Sequence, residues 1–180
     1  DPNDSDDLSW STRRSASSEI HTSALPPSEK MPFALIAGCT RMTEILARDG
    51  EGAMRMIRAT VRGALDAREA KRVAKSLVNS PLVKTMVAGA DPNVGRLLMA
   101  VGKCFECTIR PQETDAWING HPVVAGGQRL DFEDALVRET LRAEVVDLEV
   151  SLGVGDGAAR AYGCDLTAGY VEENAAYYSS

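Results

Sequence analysis

The chain reads Val146-Asp147-Leu148-Glu149-Val150-Ser151-Leu152 near its carboxyl end, and this stretch decides the fold. Apolar and polar residues alternate along it, which predicts a half-buried β-strand with one face in the core. Glycines then recur at positions 153, 155 and 157 and supply turn residues. We therefore expect the chain to fold back as a hairpin, with a return strand that ends at Cys164-Asp165.

A short helix is predicted after this pair of strands. Thr167 can cap the helix, which would carry Tyr170, Val171 and Asn174. The remaining residues are aromatic and apolar almost to the final Ser180. Chain ends usually fray, so this composition predicts a tail that docks instead.

Toward the amino end, helical and strand patterns alternate. Predicted helices cover residues 28–48, 66–78, 94–102 and 132–142, and predicted strands cover 53–62, 82–88, 105–109 and 117–124. The clearest helix follows Asp66 and has apolar residues at i, i+3, i+4, i+7 and i+8: Ala70, Val73, Ala74, Leu77 and Val78. The last predicted strand region is a hairpin around Asn119-Gly120. This order predicts an α/β layer with an antiparallel end.

Length and composition indicate one folded domain after a distinct lead-in. Residues 1–27 are acidic and Ser-rich and read as an irregular lead-in, and residues 28–180 form the predicted carboxyl-side α/β domain. The net charge of −6 argues against a nucleic-acid partner. No apolar run reaches membrane-spanning length, so we expect no membrane partner and a cytoplasmic location.

Two motifs have a plain structural interpretation. Cys104-x-x-Cys107 has metal or redox spacing, but no second pair or nearby histidine completes a set. All four cysteines are therefore interpreted as buried free thiols, and no metal is expected. The Gly-rich run at residues 153–157 lies between strands and is a turn, not a phosphate loop. No serine sits in a nucleophile elbow, so no catalytic residue is assigned in this chain.

Three blocks carry a family resemblance. The first is Asp49-Gly50-Glu51-Gly52-Ala53, the second runs from Ser80 to Gly102, and the third runs from Gly153 through Asp165 and Asn174 to the end. In order and spacing they resemble the ornithine acetyltransferases, the bifunctional glutamate N-acetyltransferases of the arginine pathway. Met54 stands where the family usually has threonine, and Val94 stands where it commonly has tryptophan.

The resemblance implies an architecture and a partner. It implies the carboxyl-side portion of the layered DmpA/ornithine acetyltransferase sandwich, within an α/β class. In the family a precursor cuts itself before a threonine, which becomes the nucleophile. This chain begins with Asp1, so the nucleophile is expected outside it. The amino-side chain of the same precursor is the expected partner, in a heterotetramer of two alpha and two beta chains.

The resemblance also implies a substrate site. It assigns Glu51, Asn174 and Ser179 to the binding of N-acetylornithine and glutamate, with acetyl carried on the threonine. A carboxylate can pair with a substrate ammonium, and the amide and hydroxyl can hydrogen-bond its carboxylate or amide. No cofactor is expected, although acetyl-CoA can serve as an alternative donor in some relatives. Two alternatives stay open: a noncatalytic scaffold or interaction domain, and a relative that acetylates another amino acid in secondary metabolism.

Overall fold

The computed structural model describes residues 27–176, which form a six-stranded sheet and six α-helices. The helices are α1 (Pro27–Arg48), α2 (Ala67–Asn79), α3 (Pro81–Ala88), α4 (Val94–Gly102), α5 (Asp134–Thr140) and α6 (Ala168–Ala176). The strands are β1 (Met56–Ala64), β2 (Asp115–Ile118), β3 (His121–Ala125), β4 (Gln128–Arg129), β5 (Val145–Ser151) and β6 (Gly157–Cys164). A 3₁₀ turn covers Pro111–Glu113. The predicted α/β class is confirmed.

The sheet is mixed, with strand order β4-β3-β2-β5-β1-β6. β1 and β5 are parallel, in a register that runs from Met56 opposite Val145 to Arg62 opposite Ser151. The other pairs are antiparallel. The hairpin predicted at Asn119-Gly120 joins β2 to β3 and is confirmed, with positive φ at both residues.

The predicted β5–β6 hairpin is wrong, because β1 lies between these two strands. The connection crosses the end of β1, where the Val154 amide donates to the Gly63 carbonyl at 2.8 Å. A Cβ atom at Gly157 would lie 2.2 Å from the backbone of Asp66, so the chain needs glycine there. Turn glycines allow a chain to reverse, but they do not determine whether another strand enters between the two arms.

Helix α2 anchors the core as its pattern predicts. The Asp66 carboxylate accepts a hydrogen bond from the Glu69 amide at 2.7 Å and caps the helix. The predicted apolar positions are all buried: Ala70, Val73, Ala74, Leu77 and Val78. This face covers β1 and β6. Strand β5 lies on the other side of β1, and the alternating apolar residues of β5 and of the residue after it are all buried: Val146, Leu148, Val150 and Leu152.

The strand predicted at residues 82–88 is wrong, since this segment is helix α3. Pro81 stands in its first turn, and the Ser80 hydroxyl accepts from the Val83 amide at 3.4 Å. Val83, Met86 and Val87 are buried at helical spacing. A short apolar run fits a buried strand or a buried helix equally, and here the Ser-Pro start decides for a helix.

The strand predicted at residues 105–109 is also wrong. The Cys107 amide donates to the Cys104 carbonyl at 2.9 Å and closes a turn. Phe105 is 91% exposed at this turn, so its ring does not take part in the core. Helices α4 and α5 lie where helices are predicted, and the Asn93 side chain caps α4 by accepting from the Arg96 amide.

Contacts divide the chain into two units, residues 1–39 and 40–180. In the first unit the structure describes only the first part of α1, where Leu35 and Ile36 are exposed. Helix α1 ends in the second unit, where Met42 and Leu46 are also exposed. The predicted domain boundary after residue 27 stays a prediction. Within residues 27–176, no helix has both the length and the apolar character that a membrane span requires.

Candidate functional site

Two of the three predicted site residues, Glu51 and Asn174, lie at one end of the sheet. Because β1 and β6 are antiparallel, the first residue of β1 pairs with the last residue of β6, Met56 opposite Cys164. The block that carries Glu51 precedes β1, and helix α6, which carries Asn174, follows β6. The topology therefore brings two segments that are distant in sequence to the same place.

Glu51 lies in a tight turn before β1. The Ala53 amide donates to the Gly50 carbonyl at 3.0 Å and closes the turn. Gly52 has a φ of +62°, which a side chain would strain. A Cβ at Gly52 would also lie 2.3 Å from the Tyr170 backbone nitrogen. Glycine at this position therefore allows the first turn of α6 to lie directly against the Glu51 turn.

Glu51 and Asn174 are in contact. The Asn174 side-chain amide donates to the Glu51 Oε2 atom at 3.0 Å and to the Tyr170 carbonyl at 2.8 Å. Both side chains are exposed, so the pair is accessible to a small molecule. The pair presents a negative carboxylate beside an amide, a combination suited to an ammonium and a neighbouring polar group on one ligand.

The other predicted residues of this region have different outcomes. Ser179 and the predicted docked tail lie outside the described residues, so both stay predictions. Helix α6 is present where predicted. Thr167 was expected to cap it, and the structure shows its hydroxyl donating to the Gly52 carbonyl at 2.5 Å. Thr167 thus links the start of α6 to the Glu51 turn.

The sequence interpretation missed a cation beside this turn. The Lys84 ammonium of α3 lies 3.8 Å from the Cys164 sulfur. A Cβ at Gly50 would lie 2.5 Å from the same sulfur, which places the lysine close to the turn. Lys84 belongs to the second of the three family blocks, and that membership was the available signal.

The cysteines do not form a metal centre in the described part of the chain. No group of three or more His, Cys, Asp or Glu side chains in this part is arranged to hold a metal ion. Cys104, Cys107 and Cys164 are half-buried, whereas Cys39 is exposed, so the prediction that all four thiols are buried is wrong. Burial raises the pKa of the Cys107 thiol, and the nearby Cys104 and Glu69 add to this increase.

A comparison with solved structures defines the class of protein. The crystal structure of the arginine biosynthesis bifunctional protein ArgJ from Bacillus halodurans matches this chain with a TM-score of 0.80 and 36% identity. The match covers 85% of this chain and 74% of that chain. The fold is therefore the α/β fold of that protein, as the resemblance predicts.

The sequence comparisons define the family. The profile of the ArgJ family matches residues 11–179, and this chain belongs to the ArgJ family. The arginine biosynthesis bifunctional protein ArgJ of Rhodococcoides fascians is 43% identical over 178 residues, which are 95% of this chain and 43% of that protein. Glutamate N-acetyltransferase Oat2 of Streptomyces clavuligerus is 45% identical over 149 residues, 80% of this chain and 38% of that protein.

These findings confirm the family predicted from the three sequence blocks. This chain spans less than half the length of the two relatives, 43% of one and 38% of the other. The matched region, which contains Glu51 and Asn174, therefore corresponds to only a part of each of those longer proteins.

Proposed function

We propose that this chain is the carboxyl-side part of an acetyltransferase that moves acetyl from N-acetylornithine to glutamate. The observation that carries the proposal is the contact between Glu51 and Asn174, which are 123 residues apart in sequence. The resemblance assigns both residues to substrate binding. Family membership and the name of the Streptomyces clavuligerus relative, a glutamate N-acetyltransferase, support the same reaction.

In this proposal the chain binds and orients the amino-acid substrate. The Glu51 carboxylate pairs with a substrate ammonium, and the amide of Asn174 keeps that carboxylate in place while its own oxygen accepts a further hydrogen bond. Ser179 contributes a hydroxyl to the same site. Orientation of a bound substrate lowers the barrier because the reacting groups no longer need to find each other.

The chemical step is proposed to use a threonine from outside this chain. Its hydroxyl oxygen attacks the acetyl carbonyl of N-acetylornithine, the amide C–N bond breaks, and ornithine leaves with the proton. The amine of glutamate then attacks the acetyl-threonine ester, forms N-acetylglutamate and restores the hydroxyl. We propose no cofactor, and acetyl-CoA is an alternative acetyl donor.

The proposed assembly contains the amino-side chain of the same precursor. That chain would supply the oxyanion hole and a substrate-binding lysine, in a heterotetramer of two alpha and two beta chains. A role in amino-acid biosynthesis favours a cytoplasmic location.

Two departures from the family pattern are compatible with this function. Val94 is buried in the core at the start of α4, so the smaller side chain is accommodated there. The Met54 side chain is 70% exposed, while its backbone amide still takes part in the hydrogen bonds beside the site. Neither substitution disturbs the contact between Glu51 and Asn174.

Kinetics of Glu51→Gln in the natural protein, assembled with its amino-side chain, test the site. Removing the charge should raise the KM for the amino-acid substrates, N-acetylornithine and glutamate, about tenfold or more. This is the effect expected for a lost hydrogen bond to a charged group. Glu172→Gln is a matched control, because Glu172 is an exposed glutamate of the same helix as Asn174. Equal KM values in the two variants would overturn the assignment of Glu51.

A further inference from the structure

A buried carboxylate lies directly behind the Glu51 turn. Asp165 follows the last residue of β6, and its side chain is fully buried. Among the residues whose burial the structure describes, it is the one charged residue that is buried. Burial of a carboxylate is unfavourable unless partners compensate the charge. Such a residue therefore calls for a specific explanation.

Asp165 is hydrogen-bonded to the segment that leaves the Glu51 turn. Its Oδ1 atom accepts from the backbone amides of Met54 at 2.9 Å and Arg55 at 3.2 Å. Its own amide donates to the Arg55 carbonyl at 3.0 Å. Three hydrogen bonds thus join the residue after β6 to the residues before β1.

The second oxygen of Asp165 faces a guanidinium. Arg55 Nη1 lies 3.7 Å from Oδ2, and Oδ2 has no hydrogen-bond partner among the residues that the structure describes. The same guanidinium donates to the carbonyls of Val87 at 3.4 Å and Ala88 at 3.1 Å, in the last turn of α3. Asp165 therefore joins the turn segment, β6 and, through Arg55, the end of α3.

This arrangement is a weak source of stability. A buried ion pair often contributes no more than an apolar replacement of the same volume, because removing both charges from water costs most of their attraction. Its geometry, in contrast, is specific, since each hydrogen bond fixes one backbone position.

Asp165 and Thr167 together fix the turn on the side that faces α6. Thr167 donates to the Gly52 carbonyl, and Asp165 holds Met54 and Arg55. Glu51 stands immediately before the first of these fixed points. A shift of the turn relative to α6 would separate the Glu51 carboxylate from the amide of Asn174.

We infer that Asp165 and Thr167 are positioning residues for substrate binding: they hold the Glu51 turn at the distance from α6 at which Glu51 and Asn174 act on one ligand. The inference rests on the proposed function, in which those two residues bind the amino-acid substrate. Neither positioning residue touches the substrate, and each acts through Glu51.

The test is a double-mutant cycle on the assembled natural protein. Asp165→Asn keeps the shape and the acceptor atom, removes the charge, and turns an amide donor toward the Arg55 guanidinium. We expect the KM for the amino-acid substrate to rise about tenfold, with a smaller change in kcat. Glu51→Gln/Asp165→Asn should have the same KM as Glu51→Gln alone, because interacting residues give non-additive effects.

Controls separate positioning from loss of fold. Asp156→Asn changes an exposed aspartate in the connection before β6 and should leave the KM unchanged. If Asp165→Asn does not accumulate as folded protein, Thr167→Val tests the same link. That variant removes one hydroxyl at nearly constant volume and should raise the KM through loss of the bond to Gly52.

The outcomes separate the positioning role of Asp165 and Thr167 from the proposed substrate site at Glu51. If Glu51→Gln raises the KM while Asp165→Asn and Thr167→Val do not, the positioning role is wrong and the proposed site stands. If the effects of Glu51→Gln and Asp165→Asn multiply, Asp165 acts independently of Glu51 and the inference is also overturned. If Glu51→Gln itself has no effect, the proposed site fails, and the positioning role fails with it.

Discussion

At the scale of single residues, the candidate site consists of ordinary side chains in a defined arrangement. Glu51 and Asn174 are exposed, and one hydrogen bond between exposed groups contributes little to stability. Its importance lies in geometry, because it places a carboxylate and an amide where one ligand can reach both. Behind this pair, Asp165 and Thr167 connect the Glu51 turn to the start of α6.

The resemblance, and not the spacing of residues, brought Glu51 and Asn174 forward as candidates. Taken alone, each is a common surface residue, and no local pattern indicates a contact across 123 positions. Asp165 was missed as a site residue because a carboxylate at the end of a strand has no distinctive sequence pattern. Its burial depends on backbone amides that lie 111 and 110 positions earlier in the chain.

Cys107 allows a prediction about pH. Burial raises the pKa of its thiol above the ordinary value of 9.0, so the thiolate is scarcer in the folded protein than in the unfolded protein. We expect the pH–rate profile for iodoacetamide labelling of Cys107, followed by peptide mass spectrometry, to have its midpoint above that of the unfolded chain in denaturant.

The raised pKa of Cys107 lowers the stability of the folded protein at high pH. Above pH 9 the unfolded chain loses its Cys107 proton first, so stability falls as pH rises from the unfolded to the folded pKa and is unaffected below that window. Coincident labelling midpoints for the folded and unfolded chains would contradict the burial effect.

At the scale of elements, periodic patterns predicted the buried face correctly where apolar residues recur on one side of a helix or strand. Helix α2 and strand β5 have the predicted buried residues. The sequence pattern did not determine the secondary structure of two short segments that were predicted as strands. Residues 82–88 form a helix, and residues 105–109 lie in a turn and irregular chain. Short apolar runs lack enough repeats to separate a period of 2 from a period of 3.6.

Gly52→Ala tests the contact between the Glu51 turn and α6. The added Cβ would meet the Tyr170 nitrogen at 2.3 Å, at a residue whose φ is +62°. We expect a loss in the free energy of unfolding of about 1–3 kcal/mol, measured by urea denaturation, and a raised KM for the amino-acid substrate.

Gly120→Ala separates the two causes of the expected loss of stability, which are backbone strain and the clash with α6. Gly120 also has a positive φ, +80°, but nothing lies within 4 Å of its added Cβ. It should therefore show only the backbone strain, with a normal KM. A normal KM in Gly52→Ala, with the same loss of stability as in Gly120→Ala, would show that α6 does not depend on this contact.

At the scale of the whole molecule, strand order brings the site together. The sequence indicated the α/β class and most of the elements, but not that β1 would lie between β5 and β6. This insertion depends on long-range pairing that turn residues do not encode. It is also what places the start of β1 beside the end of β6, and hence Glu51 beside Asn174.

The family relationship connects this arrangement of Glu51 and Asn174 with the proposed function. The chain belongs to the ArgJ family, and the fold agrees with a solved ArgJ structure at a TM-score of 0.80. The described residues include the Glu51–Asn174 pair, which we propose binds substrate, and the groups that hold this pair. We therefore propose that this chain recognises the substrate and that the reacting threonine belongs to another part of the assembled protein.

The transfer of labelled acetyl tests this account most directly. The natural protein, assembled with its amino-side chain, is incubated with N-acetylornithine carrying a ¹³C-acetyl group and with unlabelled glutamate, and the products are followed by mass spectrometry. The proposed function predicts ¹³C-labelled N-acetylglutamate in the absence of acetyl-CoA. If the folded, assembled protein forms no labelled N-acetylglutamate, the proposed function is contradicted.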